Sequence, residues 1–207
     1  MNKIKYLAAV LIGIAGLGLQ QAKADFVSSL NVPNSDLSAF PAGSYGTVNV
    51  HLVSSGDAII TFTAASGFGF VDGGAAAVQI NAGSFTATIL TDADFKQFDS
   101  GQVDGFGSFN LVVDNNSSSN PQFTISFEVT AASGTWASAA DVLGVSAGGN
   151  GGFDAAAHIL PLNNNPNGLT GFAGELPGPS VPDGGTTVML LGAALGALGM
   201  VRRYLKS

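Results

Sequence analysis

Gly144-Val145-Ser146-Ala147-Gly148 has the G-x-S-x-G spacing of a serine nucleophile on a strand-to-helix turn, and Asp154 and His158 follow it in the order acid, then base. The chemistry would be acyl transfer. It needs a strand before the serine, a helix after it, and an acid and a histidine delivered from distant strand ends. Here the acid and the histidine follow within a short glycine-rich stretch that supplies no such scaffold. In a chain with 29 Gly, chance is the better account of the pattern. His51 and His158 are the two histidines, and a metal held by both would require them to meet in space. The residues around them predict instead a solvent-facing strand position for His51 and a hydrogen-bonded structural role for His158. Asp92, Asp94, Asp99 and Asp104 form the densest acidic run, with the hard oxygen ligands that Ca²⁺ prefers. Their spacing lacks the D-x-[DN]-x-[DN]-G order of a calcium loop, so a solvated acidic loop is expected. Glu128 and Glu175 are the two glutamates, and nothing singles out an Asp pair for glycoside hydrolysis. We expect no catalytic residue, metal or cofactor.

The elements that would have to position such groups read as strands. Between Asp25 and Ser180 there are two Glu, one Lys and no Arg, against abundant Gly, Ser, Thr, Asn, Val and Phe. That composition favours strands joined by turns. Val48, Val50 and Leu52 alternate with Asn49 and His51, and Ala58, Ile60 and Phe62 with Thr61 and Thr63. Phe85, Ala87 and Ile89 alternate with Thr86 and Thr88, and Phe109, Leu111 and Val113 with Asn110. The cleanest set is Phe123, Ile125, Phe127 and Val129 against Thr124, Ser126, Glu128 and Thr130. Period-two alternation marks strands with one buried face. Turn signals separate them at Ser55-Gly56-Asp57, Asp72-Gly73-Gly74, Asn81-Ala82-Gly83, Asp104-Gly105 and Asp114-Asn115-Asn116. The expected fold is all-β, an antiparallel β-sandwich or jelly roll over residues 25–176. Short helices are expected after Thr91, through Asp92, Asp94, Phe95 and Phe98, and from Ser138 to Leu143. Trp136 to Val145 reads equally well as strand and loop. From Gly148 the chain is expected to loosen, with a loop at Asn163–Gly168 and a linker at 177–180 containing Pro177-Gly178-Pro179.

Charge narrows the partners. Of the chain's seven Lys and Arg only Lys96 lies between residues 25 and 180, whereas all of its fourteen Asp and Glu but Asp183 do. A surface with one cation among thirteen acids repels phosphate backbones, which excludes nucleic acid as a partner. Cysteine is absent, so there is no disulfide, thiol nucleophile or thiolate metal site.

Both flanks of the domain are greasy. Lys3 and Lys5 precede an apolar stretch from Tyr6 to Leu19, then Gln20-Gln21 and Ala22-Lys23-Ala24-Asp25. A basic start, an apolar middle and an A-x-A site define a signal peptide over residues 1–24, with signal peptidase cutting between Ala24 and Asp25. At the other flank stand Val181, Pro182, Asp183, Gly184 and Gly185, then an apolar run over 186–201, then Arg202 and Arg203. The proline and glycines break regular structure, and the arginines form a basic stop that stays cytoplasmic. The charge-free stretch from Val188 to Val201 spans about 21 Å as a helix, short of a bilayer core of about 30 Å. Length alone favours a buried core helix. The basic cluster after it favours a single transmembrane helix, fitted by thinning, tilt and arginine snorkelling. Gly192 and Gly196 form a G-x-x-x-G within it, which small residues in a transient anchor explain.

This tripartite segment, 181–207, resembles the PEP-CTERM class of sorting signals in its Val-Pro-Asp-Ser-Gly or Val-Pro-Asp-Gly-Gly variant, on Val181, Pro182, Asp183, Gly184, Gly185, Arg202 and Arg203. The resemblance implies an exosortase, a membrane-embedded processing enzyme. It would cut near the signature and release or re-anchor the domain at the cell surface, often in an exopolysaccharide matrix. It implies a destination and no molecular activity. A second similarity, to small uncharacterised PEP-CTERM proteins, runs from Asp104 to Glu175. It lies on Gly-Phe-Gly-Ser-Phe-Asn (105–110), Ser-Gly-Thr-Trp (133–136), Val142-Leu143, Ala-Ala-Ala-His-Ile (155–159) and Thr-Gly-Phe-Ala-Gly-Glu (170–175). It implies a shared domain without chemistry.

The expected protein is therefore exported, held as a membrane-anchored intermediate, and sorted to the cell surface or extracellular matrix without catalytic activity of its own. One alternative is a carbohydrate-binding module of the exopolysaccharide matrix, which requires exposed aromatics, with Trp136, Tyr45, Phe68 and Phe70 as candidates. The other is a secreted hydrolase.

Overall fold

A computed structural model describes residues 25–91, 95–115, 120–148 and 152–175. The signal peptide, the linker, the sorting motif with its apolar segment, and Asp92 and Asp94 lie outside the described residues. Two antiparallel sheets face each other. The first comprises β1 (Phe26–Leu30), β3 (Gly46–Leu52), β4 (Asp57–Ala64), β10 (Thr124–Ala131) and β7 (Phe85–Ile89), side by side in that order. The second runs β2 (Val32–Pro33), β12 (Gly171–Glu175), β11 (Ala155–Pro161), β6 (Ala76–Val78), β9 (Gly107–Asn115), β8 (Phe95–Val103), with β5 (Phe68–Phe70) also paired to β11.

The alternation of the first sheet comes from its one-sided burial. Val48, Val50 and Leu52 of β3, Ala58, Ile60 and Phe62 of β4, and Ile125, Phe127 and Val129 of β10 all point into the core. Their registers align these rows, with Val50 opposite Ile60 and Phe127 opposite Ile60 from the other side. From the second sheet Val78, Leu111, Val113, Ala155, Ala157, Ile159 and Ala173 join the same core. The described residues thus form a β-sandwich, as the alternation predicts.

The second sheet is covered on its other face too. Ala77, Val103, Phe106, Phe109, Val112, Phe153 and Ala156 make a separate apolar cluster, with the Phe106 and Phe153 rings 4.8 Å apart edge to face. Strands buried on both faces carry continuous apolar runs rather than alternation. This corrects the expected loosening after Gly148: β11 and β12 are inner strands of the sheet, and Ala155, Ala156 and Ala157 are all fully buried. The expected loop at 163–168 lies between them. The helix expected after Thr91 is also corrected, because Phe95 and Phe98 belong to β8, whose pairing with β9 is worth more than one capped turn. The stretch from Ser138 does turn, as a short 3-10 helix over Ala139–Val142, with the Asp141 carboxylate accepting from the Ser138 amide and hydroxyl at 2.9 Å each. Phe123, expected on the buried phase of β10, sits just before the strand and is 55% exposed.

Two glycines are fixed by close approach. Gly107 has φ of +88°, and a Cβ there would lie 2.6 Å from the Ala147 carbonyl oxygen and 2.7 Å from that of Gly148. Gly107→Ala is expected to lower stability by about 2–3 kcal/mol in urea denaturation, from left-handed strain and displaced backbone together. At Gly174 in β12 a Cβ would fall 2.4 Å from the Phe106 ring, so that ring lies flat against the strand only because the residue is glycine.

Candidate functional site

The residues at nucleophile-elbow spacing are not brought together. Ser146 is 6% exposed, and its hydroxyl donates to the Phe106 carbonyl at 2.7 Å and accepts from the Phe153 amide at 3.1 Å. It fastens together the two loops that cover the outer apolar cluster. His158 points elsewhere: Nδ1 meets the Asp72 carbonyl oxygen and Nε2 lies 2.8 Å from the Thr170 hydroxyl. The carbonyl can only accept, so Nδ1 carries the proton and Nε2 accepts from Thr170. The imidazole stacks on Phe172 with centroids 4.4 Å apart. Burial pushes its pKa down, partly opposed by the Asp72 carbonyl and carboxylate. This is the hydrogen-bonded structural histidine expected. Ser146→Ala is expected to cost about 1–2 kcal/mol in a denaturation curve, because a buried carbonyl and amide lose their partner.

His51 lies on the solvent face of β3, where its Nδ1 is 2.6 Å from Asp25 Oδ1. Both side chains are about half exposed, so the pair contributes little to stability. The two histidines stand on different sheets and share no ligand. Asp99 accepts from the Ser100 amide at 2.7 Å, and Asp104 from Asn34 at 3.4 Å. Among the described residues no three His, Asp or Glu side chains gather as metal ligands. Glu128 projects from the outer phase of β10 and Glu175 from the inner phase of β12, so the two glutamates do not form a pair.

An open groove of about 710 Å³ lies where β6 and β9 part. Gln79, Asn81, Asn110, Ser133, Thr135 and Trp136 are among its lining residues. Beyond Val78 the strands no longer pair by backbone, and side-chain amides continue the ladder. The Asn110 amide group accepts from Ile80 N at 2.7 Å and donates to Ile80 O at 2.8 Å, while Gln79 Oε1 accepts from Asn110 N at 3.1 Å. Asn81 donates to the Asp141 carbonyl at 3.1 Å, and Trp136 Nε1 to the Asn81 carbonyl at 2.9 Å. The polar lining is therefore largely engaged in holding the sandwich together. Trp136 is 4% exposed, Tyr45 1% and Phe70 0%, so three of the four candidate stacking aromatics are core residues. Phe68 is partly buried and packs edge to face on Tyr45 at 5.1 Å. They offer no exposed row of rings for a sugar.

One group that the sequence did not single out stands apart. Glu175, at the end of β12, is 3% exposed, and the Ser28 hydroxyl of β1 donates to its carboxylate across the sandwich. Burial, reinforced by the nearby Asp154 charge and opposed by the Ser28 bond, pushes its pKa up to about 7. Burial likewise raises that of Asp154. No sequence signal marks this: an inward phase on a short strand is visible only once β12 is placed in the sheet.

No curated protein and no solved structure matches the chain. The VPDSG-CTERM motif family matches residues 180–205. That span holds Val181, Pro182, Asp183, Gly184 and Gly185 together with Arg202 and Arg203. The motif implies processing by an exosortase and supports export to a surface or extracellular destination. By this segment the chain carries a VPDSG-CTERM motif, a variant of the PEP-CTERM class of sorting signal.

Proposed function

We propose that the protein is an exported payload, a β-sandwich without catalytic activity that an exosortase delivers to the cell surface or extracellular matrix. The observation that carries this reading is the motif match over residues 180–205. The order of events is signal cleavage after Ala24, retention in the membrane by a helix over 186–201, and a cut near Val181–Gly185. Pro182 supplies a rigid break and Asp183 the one acid of the signature, while Arg202 and Arg203 hold the apolar segment with its far end in the cytoplasm. The described domain fits that role. In it, Ser146 and His158 are tied into the fold by hydrogen bonds, and His51 and the two glutamates stand apart from them. Its acidic surface keeps it soluble outside the membrane. Extracellular polysaccharide is the partner class suggested by the destination, and the groove beside Trp136 is the place where contact would be sought.

Intact-mass analysis of protein recovered from membranes, cell surface and medium tests the order directly. The expected species begins at Asp25 and lacks most of 186–207. Recovery of a cytosolic form retaining Met1 and Ser207 would overturn the reading.

A further inference from the structure

Glu175 and Ser146 are the two buried polar side chains among the described residues, and Glu175 is the one that can carry charge. Its place in the fold makes that charge consequential. It is the last residue of β12, opposite Ala155 of β11, and its side chain crosses the sandwich to Ser28, between the buried Phe26 and Leu30 of β1. On the other side β12 meets β2, two residues long, which pairs Ala173 with Pro33 and Gly174 with Val32, and Asn34, whose amide and side chain bond Phe172. Pro33 has no amide to donate, and the pairing stops before Glu175. The end of the strand is thus held by β11, by the Phe106 ring against Gly174, and by the carboxyl against Ser28.

We propose that the Glu175 end of β12 is a proton-operated latch, held down when the carboxyl inside the sandwich is neutral and loosened when it is charged. Ser28 donates to the carboxyl and favours its charged form, but one hydroxyl does not offset the desolvation of a buried carboxylate that has no cation beside it. The facing groups offer none. β1 and β2 carry no titratable side chain, the short turn Ser35–Leu37 that packs on β12 carries only Asp36, beside Gly171 at the strand's other end, and Asp154, just before β11, adds charge of the same sign. His158 on β11 faces the opposite side, against Phe172.

Glu175 titrates near 7 in the fold against 4.5 in a free chain, so its contribution is full below 4.5 and is lost as pH rises through 7. His158, depressed by burial, works the other way and weakens the fold as pH falls below its ordinary 6.5. Only five residues, 176–180, separate Glu175 from Val181, at most about 20 Å of extended chain. Loosening β12 therefore frees residues 171–175, which are close in sequence to the sorting motif. That consequence rests on the sorting reading, while the latch itself does not.

The test is hydrogen exchange by mass spectrometry on the full chain in detergent micelles, comparing wild type with Glu175→Gln from pH 6 to pH 8. Taking the ratio of the two proteins at each pH removes the intrinsic pH dependence of exchange and the His158 contribution. For the peptide covering 171–175 the ratio is expected to rise about tenfold over that range, while for β4 it stays flat. A flat ratio at β12, or an equal rise at β4, overturns the latch. Ser28→Ala provides a second reading, because the Ser28 bond favours the charged form. The rise should move to higher pH in this variant, and an unmoved or lowered midpoint would sink the assigned contact. The sorting reading is judged by terminal masses, so either can fail alone.

Discussion

A chain with Pro182→Ala and Asp183→Ala is expected to lose its C-terminal cut, so that the processed form falls from the dominant species to none detected. The two positions are chosen for their physics. Proline fixes its own φ and biases the residue before it toward extended backbone, the form in which a peptide is presented to a processing enzyme. Asp183 is the one charge between Glu175 and Arg202, so its removal leaves the enzyme a neutral signature. Both lie outside the described residues, and the melting temperature should be unchanged. That separates a lost signal from a damaged domain. Intact mass of the membrane fraction reads the outcome: protein beginning at Asp25 and retaining Ser207 is expected to accumulate there. Undiminished release of a shortened form would show that the enzyme, or another protease, recognises something other than this signature.

What could be read from the residues depended on how many faces each strand buries. β3, β4 and β10 bury one face each, and the alternation of Val48, Ile60 or Ile125 with polar neighbours announces them. β6 and β11 bury both, and Ala75 to Val78 or Ala155 to Ala157 look the same to a period of two as to a period of 3.6. β8 hides for a different reason. Its ladder with β9 slips between Phe95 and Gln97 and again between Asp99 and Gly101, and each slip resets the inside–outside phase. The sorting segment was legible because its order of breaker, apolar run and basic stop is carried by composition alone. Glu175 was not, since nothing local distinguishes a solvated glutamate from one folded inward against Ser28.

The same logic separates legible surface from illegible groove. Asn110 reads as the polar partner in an alternating strand, yet its amide replaces a rung of the β6–β9 ladder. Trp136 reads as a binding aromatic, and its indole nitrogen instead serves the Asn81 carbonyl behind the groove wall. Polar and aromatic residues in a chain so rich in turns are recruited first to satisfy backbone groups that strands leave behind as they part.

Phe127→Ala is expected to be the most damaging single truncation in the sandwich, costing about 4 kcal/mol and lowering the melting temperature by about 10 °C. The residue is fully buried in the middle of β10, between Ile60 of β4 and Ile89 of β7. Its ring stacks on Phe62 in its own sheet, centroids 6.4 Å apart. It also meets Phe98 of β8 edge to face at 6.0 Å. Phe98 belongs to the second sheet, so the truncation removes a tie between layers as well as transfer free energy, and strands paired on both sides leave little room to collapse into the void. Phe123→Ala is the matched control. It stands four residues earlier in the same apparent phase, yet it is 55% exposed, and its loss should stay within about 0.5 kcal/mol. Thermal and urea unfolding of the two variants reads the difference. Equal effects would mean that β10 does not enter the core in the register that places Ile125, Phe127 and Val129 inward.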